Sequence, residues 1–128
     1  MQFDKDKPIY AQIVDRIIEN ILQEKWRAEE RIPSVRELAV ALEVNPNTVV
    51  RSYNYLQNQN VIYNQRGIGY FVTEDGKLQA RKIKRSEFIE KELPYLFKTM
   101  QLLDMSMKEL GKKYDEYTIR ADKNENEQ

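Results

Sequence analysis

Asn47, Thr48 and Arg51 stand close together in Asn45-Pro46-Asn47-Thr48-Val49-Val50-Arg51, and the chemistry open to them is hydrogen bonding to flat, acceptor-rich partners. An asparagine amide can pair twice with an adenine edge and an arginine guanidinium twice with guanine. A threonine can bond a phosphate or touch a thymine methyl. Each good bidentate pair discriminates by about 1–3 kcal/mol. On a helix turning about 100° per residue, Asn47, Arg51, Asn54 and Asn58 fall on one face, and Val49, Tyr53 and Leu56 on the other. A solvated surface accounts for any one of these polar residues, but less well for the set. Other chemistry is scarce, since the chain has no cysteine and no histidine. That removes disulfides, thiolate nucleophiles, imidazole bases and nearly every zinc or haem ligand set. The remaining carboxylates, lysines and tyrosines show no paired spacing and no phosphate-binding loop, so neither an enzyme, a metal nor a cofactor is expected.

The elements that must position these side chains can be read from local signals. From Pro8 to Trp26, Ile9, Ile13, Ile17 and Ile21 run beside Tyr10, Val14, Ile18 and Leu22 at four-residue spacing, a wide apolar stripe on a first helix. Ser34-Val35-Arg36-Glu37 is a capping box, so a second helix starts at Ser34 and ends near Leu42 or Glu43, with Arg36 at its exposed amino end. Asn45 precedes Pro46 and fits the cap of a third helix with proline as its first residue. Two β-prone runs follow, Val61-Ile62-Tyr63 and Tyr70-Phe71-Val72-Thr73, separated by a segment with Gly67 and Gly69 and with Arg66 near its tip.

Two helices joined by a tight turn and followed by a glycine-bearing hairpin match a winged helix-turn-helix. Such a helix meets the major groove amino end first, because that end presents positive dipole and brings first-turn side chains to base edges. Ser34, Arg36, Asn45, Asn47, Thr48, Arg51, Arg66 and Gly67 are therefore the candidate DNA-binding residues, Arg36 as a phosphate clamp beside the turn and Arg66 with Gly67 as a slim wing tip. Charge gives no global support, with 21 basic and 21 acidic side chains. Between Arg31 and Thr73, however, Arg31, Arg36, Arg51 and Arg66 face only Glu37 and Glu43.

The segment RIPSVRELAVALEVNPNTVVRSYNYLQNQNVIYNQRGIGYFV resembles the DNA-binding domain of the GntR family of bacterial regulators. PIYAQI and VNPNTVVRSYNYL are similar to its YtrA subfamily, whose members carry a short helical C-terminal part. The resemblance implies a homodimer on a pseudo-palindromic operator, repression of transcription, and DNA contacts from Arg36, from Asn45, Asn47, Thr48 and Arg51, and from Arg66 and Gly67. The chain departs from the family pattern at Glu43, where many members have glycine in the turn, and at Pro46, where many have arginine. The first departure strains the turn by about 1 kcal/mol if the backbone there is left-handed. The second makes Arg51 the better candidate for reading guanine.

After Glu74-Asp75-Gly76 the chain reads helical, divided by Pro94. Phe88, Leu93, Leu96, Phe97, Met100 and Leu103 are the candidate dimerisation residues, because an amphipathic helical pair on a small domain needs a partner surface. An effector pocket lined by Phe88, Leu93, Phe97 and Met100 is the alternative use, with no ligand indicated. Arg81-Lys82-Ile83-Lys84-Arg85 can flank DNA or simply face water.

The expected architecture is mostly α with a small β-hairpin wing: a winged helix-turn-helix over residues 1–76, a helical dimerisation region over 77–120 and a disordered polar tail over 121–128. No apolar run is long enough to span a bilayer and no signal peptide is evident, so a cytoplasmic location is expected. A winged-helix protein-interaction module without specific DNA binding is the rival reading. RNA is disfavoured, because its major groove does not admit such a helix.

Overall fold

The structure, a computed structural model, describes residues 6–126; residues 1–5 and 127–128, the ends of the two outer expected segments, lie outside it. The described part contains α1 (Ile9–Leu22), α2 (Val35–Leu42), α3 (Pro46–Asn58), β1 (Ile62–Gln65), β2 (Gly69–Val72) and α4 (Gly76–Glu87). A π-helical turn (Phe88–Glu92), α5 (Leu93–Leu102) and α6 (Met107–Asn126) follow. The chain divides into two compact units after Arg85.

In the first unit, α1 buries Ile13, Val14, Ile17, Ile18 and Ile21 of the two rows read from the sequence, while Ile9 at its start is exposed and Tyr10 and Leu22 are half-buried. They pack with Leu38 and Ala39 of α2, Val49, Tyr53 and Leu56 of α3, and Val61, Ile62 and Val72 of the hairpin. The hairpin is antiparallel, with Ile62 opposite Val72 and Gln65 opposite Gly69. The segment before α2 adds to this two-stranded sheet by an isolated antiparallel bridge of Arg31 with Phe71. Glu29 N–H donates to Val72 O (2.8 Å), Val72 N–H to Glu30 O (3.1 Å) and Ile32 N–H to Tyr70 O (2.9 Å). Ile32 precedes Pro33, which favours the extended backbone this pairing needs.

The boundary expected at residue 76 falls later. Ala80 of α4 is fully buried in the first unit's core and Ile83 packs against it. Lys77 Nζ meets Glu24 Oε1 of the segment after α1 at 3.0 Å, and Lys84 Nζ meets Asp15 Oδ1 of α1 at 3.1 Å. Gly76 begins α4 so close to the hairpin that a Cβ there would lie 2.8 Å from the Val61 carbonyl oxygen. Residues 77–85 thus belong to the DNA-binding-sized body. Within the basic run, Lys84 is held by Asp15 while Arg81, Lys82 and Arg85 are exposed.

In the second unit Pro94 does not break the helix. Its missing N–H cannot supply an α-type bond, and the hydrogen bonding ahead of it widens to the π turn. Asp104 turns the chain in the left-handed region (φ 53°), and Ser106 Oγ accepts from Glu109 N–H at 3.1 Å to start α6. Helix α6 runs to Asn126, so residues 121–126, expected as disordered tail, are helical. Ala121, Lys123 and Glu125 are good helix formers, and extending an existing helix avoids the nucleation cost.

Candidate nucleic-acid interface

The starts of α2 and α3 are built from local hydrogen bonds. Ser34 Oγ accepts from Glu37 N–H and Glu37 Oε1 accepts from Ser34 N–H, both at 3.1 Å, completing the capping box. These bonds to Ser34 hold the Glu37 carboxyl below the usual carboxylate range, with a smaller contribution from Arg31. The one acid in the first turn of α2 is therefore tied to the cap, and Arg36 beside it is exposed.

Glu43 ends α2 in the left-handed conformation (φ 56°, ψ 48°), the geometry that makes a side chain there unfavourable. Glu43→Gly should raise folding stability by about 0.5–1 kcal/mol, read as a shift of a few degrees in the thermal midpoint. An unchanged or lowered midpoint would count against strain at this turn.

Asn45 caps α3 through Oδ1, which accepts from Asn47 N–H at 2.8 Å, while the Asn45 carbonyl accepts from Thr48 N–H at 3.0 Å. The amino end of α3 thus offers dipole and side chains, its Asn47 and Thr48 amides being already bonded. Asn45 and Asn47 are exposed and Thr48 half-buried. Val49, Ser52, Tyr53 and Leu56 face inward, leaving Asn47, Arg51, Asn54 and Asn58 outward. Arg51 has a neighbour the sequence did not indicate, since its guanidinium carbon lies 3.9 Å from the centroid of the Tyr10 ring on α1.

Arg66 and Gly67 occupy the wing tip, both exposed. Gly67 has φ 80° with nothing within 4 Å of where a Cβ would be, so backbone conformation rather than crowding calls for glycine. Gly69 shares the positive φ (146°) and also has a close neighbour. A Cβ would lie 2.9 Å from Arg31 Nε, because the Arg31 side chain lies across this glycine from its bridge to Phe71. Arg31 is therefore a further cation at the wing that sequence reasoning left out of the site. Its one local signal was the extended Arg31-Ile32-Pro33 segment.

Tyr53 links these parts. Fully buried, it donates its hydroxyl to the Pro33 carbonyl at 2.6 Å and packs edge-on against Tyr70 of the hairpin at 4.8 Å. One side chain of α3 thereby fixes the start of α2 and the wing.

The expected dimerisation residues lie in the second unit. Phe88, Phe97 and Leu103 are exposed, Leu93 and Leu96 half-buried, and Met100 is buried by its own chain. Phe97 and Met100 line a cavity of about 340 Å³ with Gln101, Met105 and Met107, whereas Phe88 and Leu93, also named for an effector pocket, do not. Helix α6 buries none of its residues. Met107, Leu110, Tyr114, Tyr117 and Ala121 nevertheless recur at alternating three- and four-residue spacing, the pattern of a coiled-coil seam. Among the described residues no helix is long and apolar enough to cross a membrane.

Residues 9–72 match the gntR family of bacterial regulatory proteins. A GntR-family transcriptional regulator from Bacteroides thetaiotaomicron, solved as a crystal structure, is 46% identical, superposes with a TM-score of 0.75 and covers 89% of this chain and 99% of its own. The transcriptional repressor YtrA of Bacillus subtilis is 39% identical over 70 residues, 55% of this chain and 54% of YtrA. The DNA-binding domain of AraR, solved in complex with operator ORR3, is 29% identical with a TM-score of 0.52, over 57% of this chain and 88% of that domain. The match spans less than two thirds of the length of the curated relatives. Half the chain fits the family model and nearly all of it a family structure, so the chain is a YtrA-like member of the GntR family of bacterial regulatory proteins.

Proposed function

We propose that the chain is a repressor that binds a pseudo-palindromic operator as a homodimer, with α3 in the major groove and the wing on the backbone or minor groove. The observation that carries this reading is the outward face of α3, where Asn47 and Arg51 stand one turn apart and exposed, with Arg36 at the start of α2 and Arg66 at the wing tip exposed as well. Asn47 and Arg51 are assigned to base edges. Arg36, Arg66, Ser34 and Asn45 are assigned to phosphates, Thr48 to a phosphate or a thymine methyl, and Gly67 lets the wing approach closely. AraR bound to its operator and the repressor activity of YtrA support the assignment. The dimer joins through Phe88, Leu93, Leu96, Phe97 and Leu103 around Met100, and along the α6 seam, because Phe88, Phe97, Leu103 and the α6 side chains are left largely uncovered among the described residues.

Selection from a random duplex pool tests the reading. Wild type should enrich an inverted repeat with half-sites about one helical turn apart, and Arg51→Ala should lose a guanine preference worth about 1–3 kcal/mol. Enrichment of nothing, with retention that vanishes as salt rises, would leave only non-specific phosphate binding and favour a protein-interaction module.

A further inference from the structure

A guanidinium on a solvent-facing helix ordinarily samples many rotamers, and pairing with both acceptors of a guanine demands one of them. The Arg51 guanidinium lies over the Tyr10 ring, 3.9 Å from its centroid, a cation–π contact across two helices. Tyr10 is itself registered against the next residue of α3. The fully buried Ser52 donates its hydroxyl to the Tyr10 carbonyl at 2.8 Å, as well as to the Thr48 carbonyl of its own helix at 3.2 Å. Consecutive residues of α3 thus hold one residue of α1, Ser52 by its carbonyl and Arg51 by its ring. Among the described residues no carboxylate pairs with Arg51, so the ring is the contact that orients it. A cation–π contact consumes none of the guanidinium N–H donors in a conventional hydrogen bond and leaves them for an acceptor.

We propose that Tyr10, outside the helix-turn-helix, is a positioning residue for base recognition: its ring pre-sets Arg51 so that the guanine contact forms without a search over rotamers. This rests on the reading of Arg51 as a base-reading side chain. Tyr10→Phe keeps the ring and should behave as wild type. Tyr10→Leu and Tyr10→Met keep apolar bulk without a π face, and should weaken by about two- to fivefold the preference at the one base position that Arg51→Ala affects. Preferences elsewhere in the half-site and the dependence on salt should not change, which a merely structural role of Tyr10 would not achieve.

The same duplex selection run on wild type, the three Tyr10 variants and Arg51→Ala decides the matter. NMR of the free proteins accompanies it, with Arg51 side-chain protons expected upfield in wild type and Tyr10→Phe and unshifted in Tyr10→Leu. Full guanine preference in a folded Tyr10→Leu or Tyr10→Met, beside its loss in Arg51→Ala, overturns the role of Tyr10 and leaves DNA reading by Arg51 intact. An inverted repeat that Arg51→Ala reads as well as wild type overturns both assignments. The absence of a ring-current shift in wild type overturns the contact between Arg51 and the Tyr10 ring, even where the aliphatic variants fail to fold.

Discussion

Tyr53→Ala is expected to remove about 3–5 kcal/mol of folding stability, and Tyr53→Phe about 1–3 kcal/mol, in denaturant titrations of the whole chain. Domains of this kind hold only about 5–15 kcal/mol in total, so the alanine variant should sit near the edge of unfolding. The alanine variant loses the ring from between α3 and the hairpin, and the cavity cannot close without moving one of them. The phenylalanine variant keeps the ring and deletes only the 2.6 Å hydrogen bond to Pro33, leaving a carbonyl without its donor. A Tyr53→Phe variant as unstable as Tyr53→Ala would mean that the hydrogen bond outweighs packing here. Because Tyr53 joins the start of α2 to the wing, folded Tyr53→Phe should also bind DNA with a looser arrangement of Arg36 and Arg66.

Tyr53 also carries a pH dependence. Burial, with small contributions from Tyr70 and Glu37, pushes its hydroxyl well above the ordinary value of 10.0. The folded form therefore resists an ionisation that the unfolded chain undergoes near pH 10. Stability is full below that pH and is lost as pH rises above it. Tyr63 acts with the same sign through its hydrogen bond to Glu29. Tyr53→Phe should accordingly flatten, without abolishing, the fall in stability measured above pH 10.

What could be read from the sequence was whatever depends on near neighbours. The Ser34–Glu37 capping box, the Asn45-Pro46 helix start and the glycines of the hairpin are decided within a few residues, and each stands where its local chemistry puts it. What escaped depends on partners distant in the chain. Arg31 becomes a wing residue only because residues 29–32 pair with β2, and Tyr10 meets Arg51 only because α1 packs across α3. That the chain is helical after Gly76 could be seen, but not that Ala80 and Ile83 would pack on the first unit's core. On α6 the polar composition of residues 121–126 concealed the last turns of a helix whose earlier part, with Tyr114 and Tyr117, was expected.

Arg36→Ala combined with Arg66→Ala is expected to weaken operator binding uniformly across sequences and to flatten its dependence on salt. Each phosphate contact contributes about 0.9 to the slope of log affinity against log salt, so a dimer losing two contacts from each protomer should lose about 3.6. Between 50 and 200 mM salt, wild type should therefore lose about 10²-fold more affinity than the double variant does. The effect should be visible because equal numbers of acidic and basic side chains leave little long-range attraction to mask it. Arg51→Ala should behave in the opposite way, changing the ranking of duplexes while leaving most of the slope in place. A double variant with an unchanged slope would place Arg36 and Arg66 in solvent. The phosphate contacts would then fall to cations the family motif does not name, with Arg31 across Gly69 and the exposed Arg81, Lys82 and Arg85 of α4 the next to substitute.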